Sequence, residues 1–253
     1  MGQLESTVAV ITGAGRGIGR AATLAFLAAG AQVVALSRDP GELEATAGLA
    51  GDSASLEILT GDVSRIEDVE AAVAVAEDRF GNLTTIVNNA AVQTPGTVVD
   101  TPLEEFDRMM DVNVRGVFLG CRVAIPALIE GGGGSIVNIA SINALVAEKN
   151  LAVYTATKGA VMMMSKAIAL DYADAGIRCN AVCPGFVDTP LNVPHYESLG
   201  GRQALEDGLA DFQPIGRAIR ESEIADSIAF LASDASTAIT GTAFVVDGGA
   251  TAQ

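Results

Sequence analysis

Tyr154 and Lys158 stand four residues apart in a stretch, 152–175, whose apolar spacing predicts a helix. Side chains four apart share a helical face. A free tyrosine has a pKa near ~10 and is a poor base at neutral pH. A nearby ammonium favours the phenolate and lowers that pKa. The spacing therefore lets Lys158 tune Tyr154 into a group that gives or takes a proton at working pH. A second set of residues suits phosphate binding. The run Thr12-Gly13-Ala14-Gly15-Arg16-Gly17-Ile18-Gly19 joins a short β-type run, 7–11, to a helical pattern, 18–29. Glycines let the chain turn tightly and bring backbone N–H groups close to a ligand. The helix N-terminus adds unpaired donors and a partial positive charge.

These residues need a scaffold, and the chain supplies an alternating one. Strands are expected at 7–11, 32–36, 56–59, 84–87, 135–139, 178–182 and 242–246. Helices are expected at 18–29, 41–50, 66–80, 102–129, 152–175 and 221–232. Residues 186–213 show no strong period and read as a mobile segment with one short helix. Strands alternating with helices of this length specify a parallel sheet covered on both faces. The expectation is one doubly wound α/β domain over 1–253, with about seven strands and a substrate-binding loop at about 186–215. Ligands in such sheets sit beyond the carboxyl ends of the strands, where both constellations fall.

Composition narrows the partners. Lys plus Arg number 15 against 31 Asp plus Glu, a formal net charge of −16. Such a surface repels nucleic acid and anionic membranes, so neither is an expected partner. The chain has one histidine, His195, and three cysteines, Cys121, Cys179 and Cys183, at no zinc spacing. No metal site is expected, and the thiols read as reduced and mostly buried, in a cytoplasmic protein. The N-terminus shows no leader-like pattern, and no uncharged apolar run of membrane-spanning length occurs.

The glycine spacing, Gly13-x-x-x-Gly17-Ile18-Gly19, differs from the plain Gly-x-Gly-x-x-Gly fingerprint. Further landmarks follow in order. Asp62-Val63 follows the third strand, and Asn88-Asn89-Ala90-Ala91 the fourth. Asn113 lies in the long helix, and Ser141 just past the fifth strand. Tyr154-x-x-x-Lys158 comes next, then Pro184-Gly185 and Thr189 after the sixth strand. In these motifs the chain resembles the short-chain dehydrogenase/reductase family from about residue 6 to residue 249. The resemblance implies a Rossmann fold and a nicotinamide cofactor. It assigns cofactor contacts to Gly13, Gly15, Arg16, Gly17, Ile18 and Gly19, and to Ser37 and Arg38. Asp62 and Val63 would hold the adenine, with Asn89, Ala90 and Ala91 beside them. Tyr154 and Lys158 also contact the cofactor, and Pro184, Gly185, Val187 and Thr189 lie at the nicotinamide. It implies hydride transfer between the nicotinamide and a carbon bearing an alcohol or ketone, the cofactor carrying the hydride chemistry. Tyr154 would move the proton, Ser141 would bind the substrate oxygen, and Asn113 would hold a water linking Lys158 to solvent. Ala91 departs from the family's usual glycine, and its methyl either narrows the space beside the nicotinamide or stiffens the turn.

The end of the second strand bears on which nicotinamide is used. An acidic residue there binds the ribose 2′-OH of NAD and repels a 2′-phosphate. This chain has Ser37 and Arg38, with Arg16 in the glycine loop, and the guanidinium fork suits phosphate. NADP(H) is the expected cofactor and NAD the alternative, since the charge of Asp39 lies next door. At the substrate end, Val92, Gln93, Ile142, Asn143, Leu151, Phe186 and residues 191–199 are mostly apolar. The expected substrate is a small to medium, largely apolar ketone or secondary alcohol, touched by Ser141, Asn143, Tyr154 and Phe186. His195 and Tyr196 read either as contacts of a closing lid or as exposed loop residues. Two other functions stay open. One is an NAD-dependent dehydrogenase of a cyclic, steroid or sugar-derived alcohol. The other is a non-catalytic nicotinamide sensor, against which the presence of Tyr154 and Lys158 speaks. The resemblance also implies a homotetramer, with residues 103–128 and 153–175 at one interface.

Overall fold

The computed structural model describes residues 3–51, 53–198 and 200–252. Leu199, named above with the substrate segment, lies outside the described residues, as do the ends of the 1–253 span.

Strand β1 (Val8–Thr12) is buried at every position, as a strand covered on both faces must be. Its side chains alternate between two cores. Val8 and Val10 join one cluster with Ala72 and Val73, Leu128 and Val161. Ala9 and Ile11 join the other with Ala22, Phe26 and Ile228. The remaining strands are β2 (Gln32–Ser37), β3 (Leu56–Thr60), β4 (Thr85–Asn88), β5 (Gly134–Ile139), β6 (Ile177–Pro184) and β7 (Ala243–Val246). All neighbouring pairs are parallel. The sheet has seven strands in the order β3-β2-β1-β4-β5-β6-β7. This is the Rossmann arrangement. Helices α3 (Ile66–Phe80), α5 (Gly116–Glu130) and α6 (Ala152–Tyr172) cover the first core. Helices α1 (Gly17–Ala28), α2 (Pro40–Ala50) and α9 (Glu221–Ala232) cover the second. The chain reverses its winding between β1 and β4, so a crevice opens at their carboxyl ends.

Two expected elements differ. The single helix predicted over 102–129 is α4 (Leu103–Met110) and α5, joined by one π-helical stretch, Asp111–Arg115. The cause is Asn113, whose fully buried amide turns away from the helix to bond the Val92 backbone. By length and composition the 28-residue run Leu103–Glu130 could cross a membrane, and 56% of its most apolar window is buried in the protein. Its apolarity is that of a core helix. The segment beyond β6 holds two helices, α7 (Val193–Ser198) and α8 (Arg202–Phe212), after a 3-10 turn, Pro190–Asn192. Its weak period has a simple origin: only Leu209 of α8 is buried.

The sheet carries one buried polar ladder. Asn88 of β4 and Asn138 of β5 are register partners. Asn88 Nδ2 donates to Asn138 Oδ1 at 2.8 Å, and Asn138 Nδ2 donates to Ser165 Oγ of α6 at 2.9 Å. The ladder ties β4 and β5, just before Asn89 and Ser141, to α6, the helix that carries Tyr154. Asn138→Ala strips partners from two buried groups, so it is expected to cost about 2–4 kcal/mol. Urea denaturation of the ligand-free protein measures this.

Candidate active site

The glycine turn is built on the hydroxyl of Thr12. It accepts the backbone N–H groups of Asn89 at 2.9 Å and Ala90 at 3.1 Å and lies 3.4 Å from the Val87 carbonyl to which it donates. Asn89 Nδ2 returns a bond to the Thr12 carbonyl at 2.9 Å. The ends of β1 and β4 are thus locked across the crevice. Gly13 holds φ +66°, and a Cβ there would stand 2.8 Å from Asn89 Nδ2. At Gly19 a Cβ would collide with the Gly13 carbonyl, so α1 can approach the turn only without a side chain. No side chain caps α1. Its first N–H groups are left for an anion, as phosphate binding at a helix N-terminus requires. These features fit a dinucleotide.

Two cavities lie along the strand ends. One, about 260 Å³, is lined by Gly13, Arg16, Gly17, Ile18, Ser37, Arg38, Val63 and Asn89 to Ala91, among others. The second, about 320 Å³, holds Ser141, Asn143, Tyr154 and Lys158 together with Pro184 to Val187. They share Ile18, Asn89, Ala91, Thr189 and Leu191 and so adjoin. Ala91 stands at that junction. Two expected cofactor contacts, Gly15 and Gly19, lie behind the walls. Gly15 packs against Glu42 and Ser37, and Gly19 against Gly13. Asp62 is turned into the start of α3, where its Oδ1 accepts the Ser64 N–H and hydroxyl.

The cations of the first cavity have carboxylate partners that spacing did not reveal. Arg16 Nη1 pairs with Glu42 Oε1 at 3.1 Å, and Arg38 Nη1 stands 3.8 Å from Asp62 Oδ2. Asp39 caps α2 by accepting the Glu42 N–H. Both arginine side chains remain more than half exposed. At such exposure an ion pair is worth little, and either arginine can exchange its partner for a ligand phosphate.

Around the second cavity, Tyr154 and Lys158 are buried on the first turns of α6. The ammonium lies 5.6 Å from the Tyr154 ring centre and donates to the Ile139 carbonyl at 2.7 Å. Burial pulls the Lys158 pKa down to about 8. Burial pushes the Tyr154 phenol well up, the Ser141 hydroxyl opposes this, and the charge of Glu148 adds to it. The expectation that Lys158 lowers Tyr154 is therefore corrected for the protein alone. Desolvation dominates, and the ammonium is turned toward the end of β5. Ser141 follows that strand; its hydroxyl donates to Asn143 Oδ1 at 2.9 Å and accepts the Asn143 N–H at 3.1 Å. Asn113 borders neither cavity. Its Oδ1 accepts the Val92 N–H, and its Nδ2 donates to the Val92 carbonyl and to Thr157 Oγ1. One side-chain hydrogen holds the chain beside Ala91 and the other bonds Thr157 of α6.

His195 is not an exposed loop residue. It lies in α7, 7% exposed, with Nε2 2.7 Å from Glu148 Oε1. Burial raises the Glu148 pKa, but the bonds and charge of His195 and the bond from Asn143 outweigh it and hold the carboxyl low. The partners are 47 residues apart in the chain, so no local pattern could have paired them. Among the described residues, no cluster of His, Cys, Asp and Glu could hold a metal ion.

Residues 13–251 match the family model described as Enoyl-(Acyl carrier protein) reductase. The chain is similar to the 2-(R)-hydroxypropyl-CoM dehydrogenase of Xanthobacter autotrophicus (strain ATCC BAA-1158 / Py2), 40% identical over 98% of this chain and 99% of the relative. The fold matches a short-chain type dehydrogenase/reductase from Mycobacterium marinum, with TM-score 0.90 and 32% identity, covering 99% of this chain and 97% of the other. It also matches a 3-ketoacyl-(acyl-carrier-protein) reductase from Brucella melitensis complexed with NADH, with TM-score 0.88 and 39% identity, covering 98% of this chain and 99% of the other. Sequence likeness over nearly the full length, the same fold and a glycine turn fit for a nicotinamide dinucleotide agree: the chain belongs to the short-chain dehydrogenase/reductase family and is an oxidoreductase of alcohols and ketones.

Proposed function

We propose that the protein transfers hydride between NADP(H) and a small to medium ketone or secondary alcohol, with Tyr154 as the proton donor or acceptor. The observation that carries this reading is the wall of the second cavity. Ser141, Tyr154 and Lys158 line it together, next to the crevice that the glycine turn opens. Ser141 orients the substrate oxygen. Lys158 holds the end of β5 through Ile139 and stands ready to contact the nicotinamide ribose. Asn113 is a positioning residue, fixing the backbone at Val92 that leads from Ala91 into the substrate cavity. The bound nicotinamide supplies or accepts the hydride. The segment at about 186–215 covers the substrate, with Phe186 at its base and α7 and α8 along its rim.

NADP(H) is favoured because Arg16, Ser37 and Arg38 all face the first cavity. Glu42 and Asp39 line the same cavity and support NAD as the second reading, since they would repel a 2′-phosphate. For assembly we propose a homotetramer built on α4, α5 and α6. These helices expose Leu103, Phe106, Phe118, Met163 and Leu170, large apolar side chains that another copy would cover. Met162 and Met164, by contrast, are half-buried and pack against the core. The three free, buried cysteines support a reducing compartment.

Tyr154→Phe is expected to lower kcat by about 10²–10⁴-fold while the nicotinamide still binds, read by steady-state kinetics and by titration of nicotinamide fluorescence. A fully active variant would sink the mechanism. Arg38→Glu is expected to weaken NADPH by about 10- to 100-fold and NADH far less. Equal losses in the same titration would mean that Arg38 does not read the phosphate. Lys158 provides a third test through stability. Its pKa falls from 10.5 to about 8 on folding, so the unfolded chain binds more protons between those values. Stability from this group rises with pH across that window. Lys158→Met is therefore expected to melt higher than wild type at pH 7, with the gap closing above pH 10. Thermal melts of both proteins from pH 7 to 10.5 measure it.

A further inference from the structure

The substrate cavity holds more polar structure than an apolar ketone needs. A hydrogen-bonded chain leads away from Ser141. Its hydroxyl donates to Asn143 Oδ1 at 2.9 Å, Asn143 Nδ2 donates to Glu148 Oε2 at 3.2 Å, and Glu148 Oε1 takes His195 Nε2 at 2.7 Å. All four residues line the cavity of about 320 Å³, as does Gln93. Two atoms in this group have no hydrogen-bond partner within the chain: Gln93 Nε2 and His195 Nδ1. Both side chains are buried, each residue 7% exposed. An unpaired buried polar atom costs about 1–3 kcal/mol, and both of these belong to side chains that line the substrate cavity.

The atoms define what that ligand offers. A carboxylate only accepts, so Glu148 takes the hydrogen on His195 Nε2, and Nδ1 is the ring atom left for a ligand. Gln93 Nε2 only donates. A hydroxyl both donates and accepts, so it can partner Gln93 Nε2 and either form of His195 Nδ1. A carboxylate or phosphate would meet the negative charge of Glu148, and the one buried ammonium nearby is already on the Ile139 carbonyl. We propose that Gln93 and the Glu148–His195 pair form a recognition subsite for a second, neutral hydroxyl on the substrate. The preferred substrates are then hydroxy-ketones and their diols. This rests on the dehydrogenase reading above and narrows its substrate class. The pair joins α7 to the 145–150 loop, so the competing account is a structural clamp with no part in selection.

The test compares kcat/KM for reduction of cyclohexanone with that of its 2-, 3- and 4-hydroxy derivatives, using the nicotinamide that binds more tightly. Wild type, Gln93→Leu and His195→Phe are measured, and both variants are checked for unchanged nicotinamide binding. A site built to bond a hydroxyl rejects the analogue without it, so at least one hydroxy-ketone is expected to lead by about tenfold or more in wild type. That lead is expected to collapse toward unity in each variant. Because a ratio is read, a general loss of activity does not imitate the result. Equal turnover of all four ketones by wild type overturns the subsite and leaves the dehydrogenase reading standing. A lead that survives in both variants also overturns it, in favour of the clamp. Turnover of none of the four, with nicotinamide bound, overturns both readings.

Discussion

The Thr12 hydroxyl stands between the two strands whose divergence opens the crevice, and the site depends on that bridge. It receives the Asn89 and Ala90 N–H groups from β4 and turns its own hydrogen toward the Val87 carbonyl. Parallel strands have no tight turn to fix their ends, so the carboxyl ends of β1 and β4 need side chains to hold them in register. With Asn89 bonded back to the Thr12 carbonyl, the glycine turn is pinned from both sides. Only then can α1 begin close enough to present uncapped N–H groups, and only glycine at position 19 allows that approach.

The second half of the site is positioned by burial rather than by a turn. Asn88, Asn138 and Ser165 tie β4, β5 and α6 into one polar ladder inside an apolar sheet. Above it, Lys158 donates to Ile139 and Tyr154 sits among buried side chains. Burying an ammonium costs folding free energy while it is charged, and the pKa of about 8 expresses that cost. The fold accepts a less stable core to keep a titratable cation beneath the tyrosine, a trade common at functional sites. In the protein alone the tyrosine pKa is raised. The geometry places the ammonium and the phenol ring side by side on one face of α6.

Charge balance recurs around the cavities. Arg16 faces Glu42 and Arg38 faces Asp62 with their guanidinium groups more than half exposed, while Glu148, itself about a third exposed, meets the buried His195. The exposed pairs are weak and exchangeable, as an entering phosphate requires. The Glu148–His195 contact is held by a short bond and by Asn143, in the wall of the second cavity.

The sequence by itself determined the fold and the site's main members. Buried strands such as Val8–Thr12 read as apolar runs, helices as spaced stripes, and the alternation of the two implies a parallel doubly wound sheet. Gly13, Gly17, Tyr154 and Lys158 were legible because local geometry depends on neighbours a few residues away. Contacts across long loops were not. The pairing of Glu148 with His195, of Arg16 with Glu42, and of Asn113 with Val92 came only from tertiary structure. So did the directions of the Tyr154 and Lys158 shifts, because desolvation depends on what the rest of the chain packs around a group, and that surrounding has no signature in spacing.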